Sequence, residues 1–87
     1  MIRGALRHPQ FDKAVEKLSA KFPGIKEVID GAIWSLCREP EDGKFIQRLG
    51  VWQARLIPPE APPILLFYAV NKRFLTMLTA VLASRSK

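Results

Sequence analysis

Apolar residues recur along this chain with two different periods, and the change of period divides it. Phe11, Ala14, Val15, Leu18 and Phe22 stand at helical spacing, with Asp12, Lys13, Glu16, Lys17 and Lys21 between them. An amphipathic helix is therefore expected from Pro9. Proline suits a first helical turn, where its missing N–H would lack a partner, and Pro23-Gly24 ends the helix. A second helix follows on a more regular pattern: Ile25, Val28, Ile29, Ala32, Ile33, Leu36 and Cys37 fall at i, i+3, i+4, i+7, i+8, i+11 and i+12. The short break between the two predicts an antiparallel αα-hairpin whose apolar faces need a partner surface.

Beyond Gly50 the pattern becomes that of strands. Gly50 to Ile57 is β-rich, the proline-rich run from Pro58 to Pro63 cannot continue it, and Ile64 to Val70 resumes it. Asn71-Lys72-Arg73 is a turn, and Phe74 to about Ala83 is a third strand, so a three-stranded antiparallel meander is expected. Ile2 to Leu6 is a candidate edge strand, Glu39 to Gly43 a turn-rich connection, and Lys44 to Leu49 a lead-in to the meander. The fold class is α+β: one domain over residues 1–87, with the N-terminal αα-hairpin packed on one face of a mainly antiparallel three- to four-stranded sheet. Parity places Trp52, Ala54 and Leu56 under the helices and Val51, Gln53, Arg55 and Ile57 on the open face. In the second strand both parities are apolar, Ile64, Leu66, Tyr68 and Val70 on one and Leu65, Phe67 and Ala69 on the other. That implies a strand covered on both sides, or an open face that a partner protein completes.

Charge changes this picture. The chain of 87 residues carries a net charge of +6. Residues 1–42 hold seven Lys or Arg and seven Asp or Glu, whereas residues 43–87 hold seven Lys or Arg against Glu60 alone. The excess belongs entirely to the sheet half. Such a surface attracts phosphate backbones or an acidic protein segment, with a strong salt dependence; the plainer alternative is a basic, well-solvated surface. No apolar run reaches the roughly 18 residues needed to cross a bilayer, and the N-terminus lacks the pattern of a secretory signal. A cytoplasmic location is expected, and the single Cys37 is compatible with a reducing compartment.

Most familiar site chemistry is missing from the residues. One histidine and one cysteine at unrelated positions do not make a zinc shell, no glycine loop cradles phosphate, and no cofactor is implied. His8 is expected at the entrance of the first helix and Cys37 in the core; Trp34 and Trp52, set among apolar neighbours, read as packing residues. What remains is cationic: Lys44, Arg48, Arg55, Lys72, Arg73, Arg85 and Lys87. Arginine grips phosphate through two parallel N–H bonds, and clustered cations stabilise the charge of a phosphoryl transition state. RNA carries its own nucleophile in the 2′-hydroxyl, so its cleavage needs positioning, charge stabilisation and proton transfer but no metal.

The order of parts resembles the RelE/ParE superfamily of bacterial toxins. His8-Pro-Gln-Phe-Asp-Lys-Ala-Val-Glu-Lys-Leu18 is similar to the opening of that family, where a short strand leads into helix one. Gly50-Val-Trp-Gln-Ala-Arg-Leu56 is similar to its first meander strand, above all in the HigB-like branch, and Leu65 to Val70 and Phe74 to Val81 to the next two. The resemblance implies the toxin component of a type II toxin–antitoxin system, an mRNA endoribonuclease acting on the ribosome, with a cognate antitoxin as protein partner. It implies phosphate-contacting, catalytic roles for Arg55, Arg48 and Arg85, the last with Lys87 in a C-terminal basic cluster; Lys44, Lys72, Arg73 and Lys87 are then expected to bind the RNA backbone. Three positions depart from the family's nuclease pattern. Gln53 stands where RelE-type members have a lysine, Leu65 where many members have an arginine, and no tyrosine follows Arg85. The family also contains ParE-like toxins that bind DNA gyrase without cutting RNA, and a relative that binds only its antitoxin is a further alternative.

Overall fold

The computed structural model describes residues 4–59 and 61–83. In chain order the elements are β1 (Gly4–Arg7), α1 (Pro9–Lys21), α2 (Ile25–Arg38), a 3-10 turn at Pro40–Asp42, β2 (Lys44–Ile46), β3 (Val51–Leu56), β4 (Ile64–Val70) and β5 (Phe74–Leu82). The five strands form one mixed sheet in the order β1-β5-β4-β3-β2. β1 runs parallel to β5, while the other three pairings are antiparallel. The parallel pairing is open to β1 because the whole helical hairpin and most of the meander intervene, and parallel neighbours require a long crossover.

The two helices and the meander form where the apolar periods place them. His8 caps α1, its Nδ1 accepting from the Gln10 N–H at 3.0 Å. Gly24 separates the helices at φ 88, a left-handed conformation that glycine adopts without a Cβ clash. The core joins Phe11, Val15 and Leu18 of α1 and the apolar stripe of α2 to Ile64, Leu66 and Tyr68 of β4 and Leu75, Met77 and Ala80 of β5. Cys37 belongs to it, and burial raises its thiol pKa. Trp52, Ala54 and Leu56 are partly buried against this core, as strand parity requires.

Three features differ from the pattern-based expectation. The sheet has five strands rather than three or four. Lys44–Ile46 is itself a strand, pairing Lys44 with Gln53, Phe45 with Trp52 and Ile46 with Val51. Three residues are too few to show a period. The pairing comes from the turn that follows, where the Leu49 and Gly50 N–H groups both donate to the Ile46 carbonyl. β5 also carries an irregularity: Phe67 faces Thr79 but Tyr68 faces Met77. Leu78 is the extra residue, and it shifts the inward row from Leu75 and Met77 to Ala80, which simple alternation would have pointed outward. Finally, Trp34 is not a packing residue. It lies off the apolar stripe of α2 and is 59% exposed. The edge strand expected from Ile2 is described from Gly4 onward; Ile2 itself lies outside the described residues.

A buried polar contact joins the helical layer to the sheet. The Tyr68 hydroxyl donates to the Pro40 carbonyl at 2.8 Å, and the Trp52 ring stacks beside it with centroids 6.3 Å apart. The connection from α2 to β2 is thereby held against the centre of the sheet. Gly43 is where the backbone passes closest: a Cβ there would overlap the Tyr68 hydroxyl and lie 2.8 Å from the Gln53 carbonyl oxygen. Backbone and a buried ring cannot yield cheaply. Gly43→Ala is expected to lower unfolding free energy by about 2–4 kcal/mol, read from urea denaturation, whereas Gly31→Ala on the open side of α2 should not destabilise.

Candidate functional site

The pairing of β2 with β3 creates a shallow depression at one corner of the sheet. Lys44 lies opposite Gln53, and Arg55, two residues further along the same face, lies opposite Leu65. These four residues, with Asp42, Gly43, Ala54 and Ala83, line a hollow of about 620 Å³. Lys44 and Arg55 are exposed, and both ion pairs found among the described residues belong to Arg7, bridging β1 to Asp12 and Asp30 on the helices. The guanidinium and the ammonium therefore face solvent as hydrogen-bond donors for an anion. The Gln53 amide adds a neutral donor and acceptor, and Asp42 supplies the one carboxylate of the lining.

The other cations are distributed differently. Arg48 sits in the turn between β2 and β3, and about 13 Å of strand separates the end of that turn at Val51 from Arg55. Lys72 and Arg73 occupy the β4–β5 turn, which antiparallel register puts at the same end of the sheet as Arg48. That turn is tight: the Asn71 side-chain oxygen accepts from the Arg73 N–H at 2.8 Å and from the Phe74 N–H at 2.7 Å. Arg48, Lys72 and Arg73 thus form a second basic region at the opposite end of the sheet from the depression. Arg85 and Lys87 lie outside the described residues; the last described residue, Ala83, lines the hollow.

Between the two basic regions the open face is apolar. Leu65, Phe67 and Ala69 of β4 run down its middle, flanked by Val81, Thr79 and Thr76 on β5. Leu6 of β1 and Val81 remain 48% and 42% exposed, so the single-layer side of this sheet presents an uncovered apolar strip with cations at its ends. Sequence parity identifies the Leu65, Phe67 and Ala69 row; the β5 residues beside it share a face only through the irregularity at Leu78. What parity misses is Asp42 at the rim, whose position depends on the 3-10 turn and on the Tyr68 anchor; the acidic, turn-rich run just before Lys44 is the one signal for it.

Tyr68 cannot serve this site as an acid or base. It is fully buried on the helical side of β4, and its pKa is pushed up from 10.0 to about 12. Burial is the main cause; the charges of Asp42 and Glu41 add to it, and the Gly43 N–H, which stabilises the phenolate, opposes it. Neither models of known protein families nor the curated proteins include a match to this chain.

Two outcomes are expected. Since Tyr68 is the sole tyrosine, phenolate absorbance should appear near pH 12 in the folded protein and near 10 in denaturant. The neutral phenol is the form that folding favours, so its contribution to stability is complete below pH 10 and is lost as pH rises towards 12. Second, binding of a polyanion such as heparin, measured by fluorescence anisotropy against salt, should weaken and lose salt dependence with each of Arg55→Ala and Lys44→Ala. Melting temperature should change little, because both groups are solvated.

Proposed function

We propose that this chain is a toxin of the RelE/ParE type, the effector of a type II toxin–antitoxin pair, and that it cleaves mRNA on the ribosome at the Lys44–Arg55 depression. The observation that carries the reading is topological. A short first strand runs parallel at the edge of the sheet, a helical hairpin covers one face, and an antiparallel meander sets Arg55 on the other face. That is the order of parts which the His8–Leu18 and Gly50–Leu56 segments lead one to expect. The excess positive charge lies in the same half of the chain as the depression.

In this reading Arg55 and Lys44 hold the scissile phosphate and stabilise the charge that builds on its oxygens as the neighbouring 2′-hydroxyl attacks phosphorus. The bond to the 5′-oxygen breaks, that oxygen takes up a proton, and a cyclic phosphate remains on the upstream fragment. The 2′-hydroxyl proton needs an acceptor, and the Asp42 carboxylate is the proton-accepting side chain of the lining. Arg48, Lys72 and Arg73 bind the RNA backbone further along the sheet, and Arg85 and Lys87 supply charge from the C-terminal segment. The ribosome is the working partner, the cytoplasm the compartment, and a cognate antitoxin with an acidic segment neutralises the basic surface in the resting cell.

Leu65 supports a second reading. It lies opposite Arg55 in the register, where nuclease members of the family often have another arginine, and it continues the apolar strip of Phe67 and Ala69. An apolar strip fits a protein better than a phosphate chain. A ParE-like toxin that binds DNA gyrase, or a relative that binds only an antitoxin, accounts for it. Mapping of 5′ ends on a reporter mRNA in a reconstituted translation reaction separates these readings. Discrete new ends with the wild-type protein, lost with Arg55→Ala and reduced at least about tenfold with Lys44→Ala, are expected of the nuclease. A folded protein that cuts no message at any concentration overturns it.

A further inference from the structure

The outer crest of α2 carries a large side chain for which packing within this chain has no use. Glu27, Gly31, Trp34 and Arg38 follow one another at spacings of four, three and four, so they share one stripe of the helix. That stripe lies opposite the buried Ile29, Ile33 and Leu36. All four residues are exposed. The Arg38 guanidinium sits over the Trp34 ring, 4.7 Å from its centroid, which orders both side chains. Beside the indole, Gly31 leaves a notch: apart from its own helix backbone and adjacent residues, nothing comes within 4 Å of where its Cβ would stand.

We propose that this stripe is the seam of a homodimer, in which α2 packs antiparallel against α2 of a second copy. The alternating spacing of four and three is the one by which two helices interdigitate. With the two-fold axis passing between residues 32 and 33, Trp34 of each copy enters the notch at Gly31 of the other, and Glu27 of each copy meets Arg38 of the other. Every layer then joins a bulky side chain to an empty space, or an anion to a cation. A parallel alignment would instead set Trp34 against Trp34 and Glu27 against Glu27. The stripe is complementary to itself, which is what an isologous contact demands and what a foreign partner would not require.

Charge permits the approach. Residues 1–42 carry as many acids as bases, so two helical layers meet without the repulsion that the sheet half would impose. α2 has 14 residues and spans about 21 Å, which places the contact at the small end of specific interfaces and makes the dimer concentration-dependent. Arg55 lies on the face of the sheet opposite the helices, so its side chain is outside the seam; Asp42, at the rim of the depression, also lines a shallow hollow with Trp34 and Arg38.

Sedimentation velocity of the full chain from micromolar to near-millimolar concentration tests this. The wild type should shift from monomer to dimer across that range. Trp34→Ala and Gly31→Leu should each weaken association about tenfold or more, with helical circular dichroism unchanged because both sites are solvent-facing. Glu27→Arg alone and Arg38→Glu alone should also weaken it, while the double variant E27R/R38E, which restores opposite charges across the axis, should recover it. A chain that stays monomeric throughout overturns the proposal and leaves the stripe to a different protein. A dimer indifferent to Trp34→Ala, or one that the double charge exchange does not restore, overturns it as well.

Discussion

The inner row of β4, Ile64, Leu66 and Tyr68, is fully buried, and the positions of the other elements follow from that burial. Helices α1 and α2 cannot hide their apolar stripes alone, since together they supply one layer and need a second. β4 and β5 provide it at the centre of the sheet. Once that layer closes, the Tyr68 hydroxyl is removed from water and must find a partner, and the Pro40 carbonyl at 2.8 Å is the one it takes. This contact is buried, so it fixes the α2–β2 connection more firmly than the solvent-exposed ion pairs of Arg7 fix the edge.

The candidate site depends on that contact indirectly. With Pro40 anchored, Gly43 passes against Tyr68 and Lys44 enters the sheet opposite Gln53. Lys44 and Arg55 then share a depression with Asp42, although ten residues separate the two cations in the chain. A residue that never touches solvent thus decides which charges on the opposite face stand together. The phosphate-binding reading rests on those charges, and the competing protein-binding reading on the apolar strip that starts beside them.

The two faces of the molecule have different electrostatic characters, which suits two kinds of contact. The sheet half carries the whole net charge and favours a polyanion or an acidic segment. The helical half is balanced, and its most exposed large hydrophobic side chain, Trp34, has Gly31 and Arg38 about one helical turn to either side. Association through the helices and binding through the sheet are therefore compatible.

Periodicity alone determines much of this protein: two helices with their buried stripes, the break at Gly24, three meander strands, the inward parity of Trp52, Ala54 and Leu56, the capping place of His8 and the burial of Cys37. Each depends on neighbours a few residues away, which is the range over which a 3.6- or 2-residue period is legible. The positive character of the sheet half is likewise a property of composition. Only the tertiary structure decides the rest. β2 is a strand because β3 offers it a free edge, and Ala80 points inward because Leu78 is an extra residue against β4. The grouping of Lys44 with Arg55, apart from Arg48, Lys72 and Arg73, belongs here too: side chains far apart in the chain become neighbours through strand register, and register is set by the packing of the whole sheet.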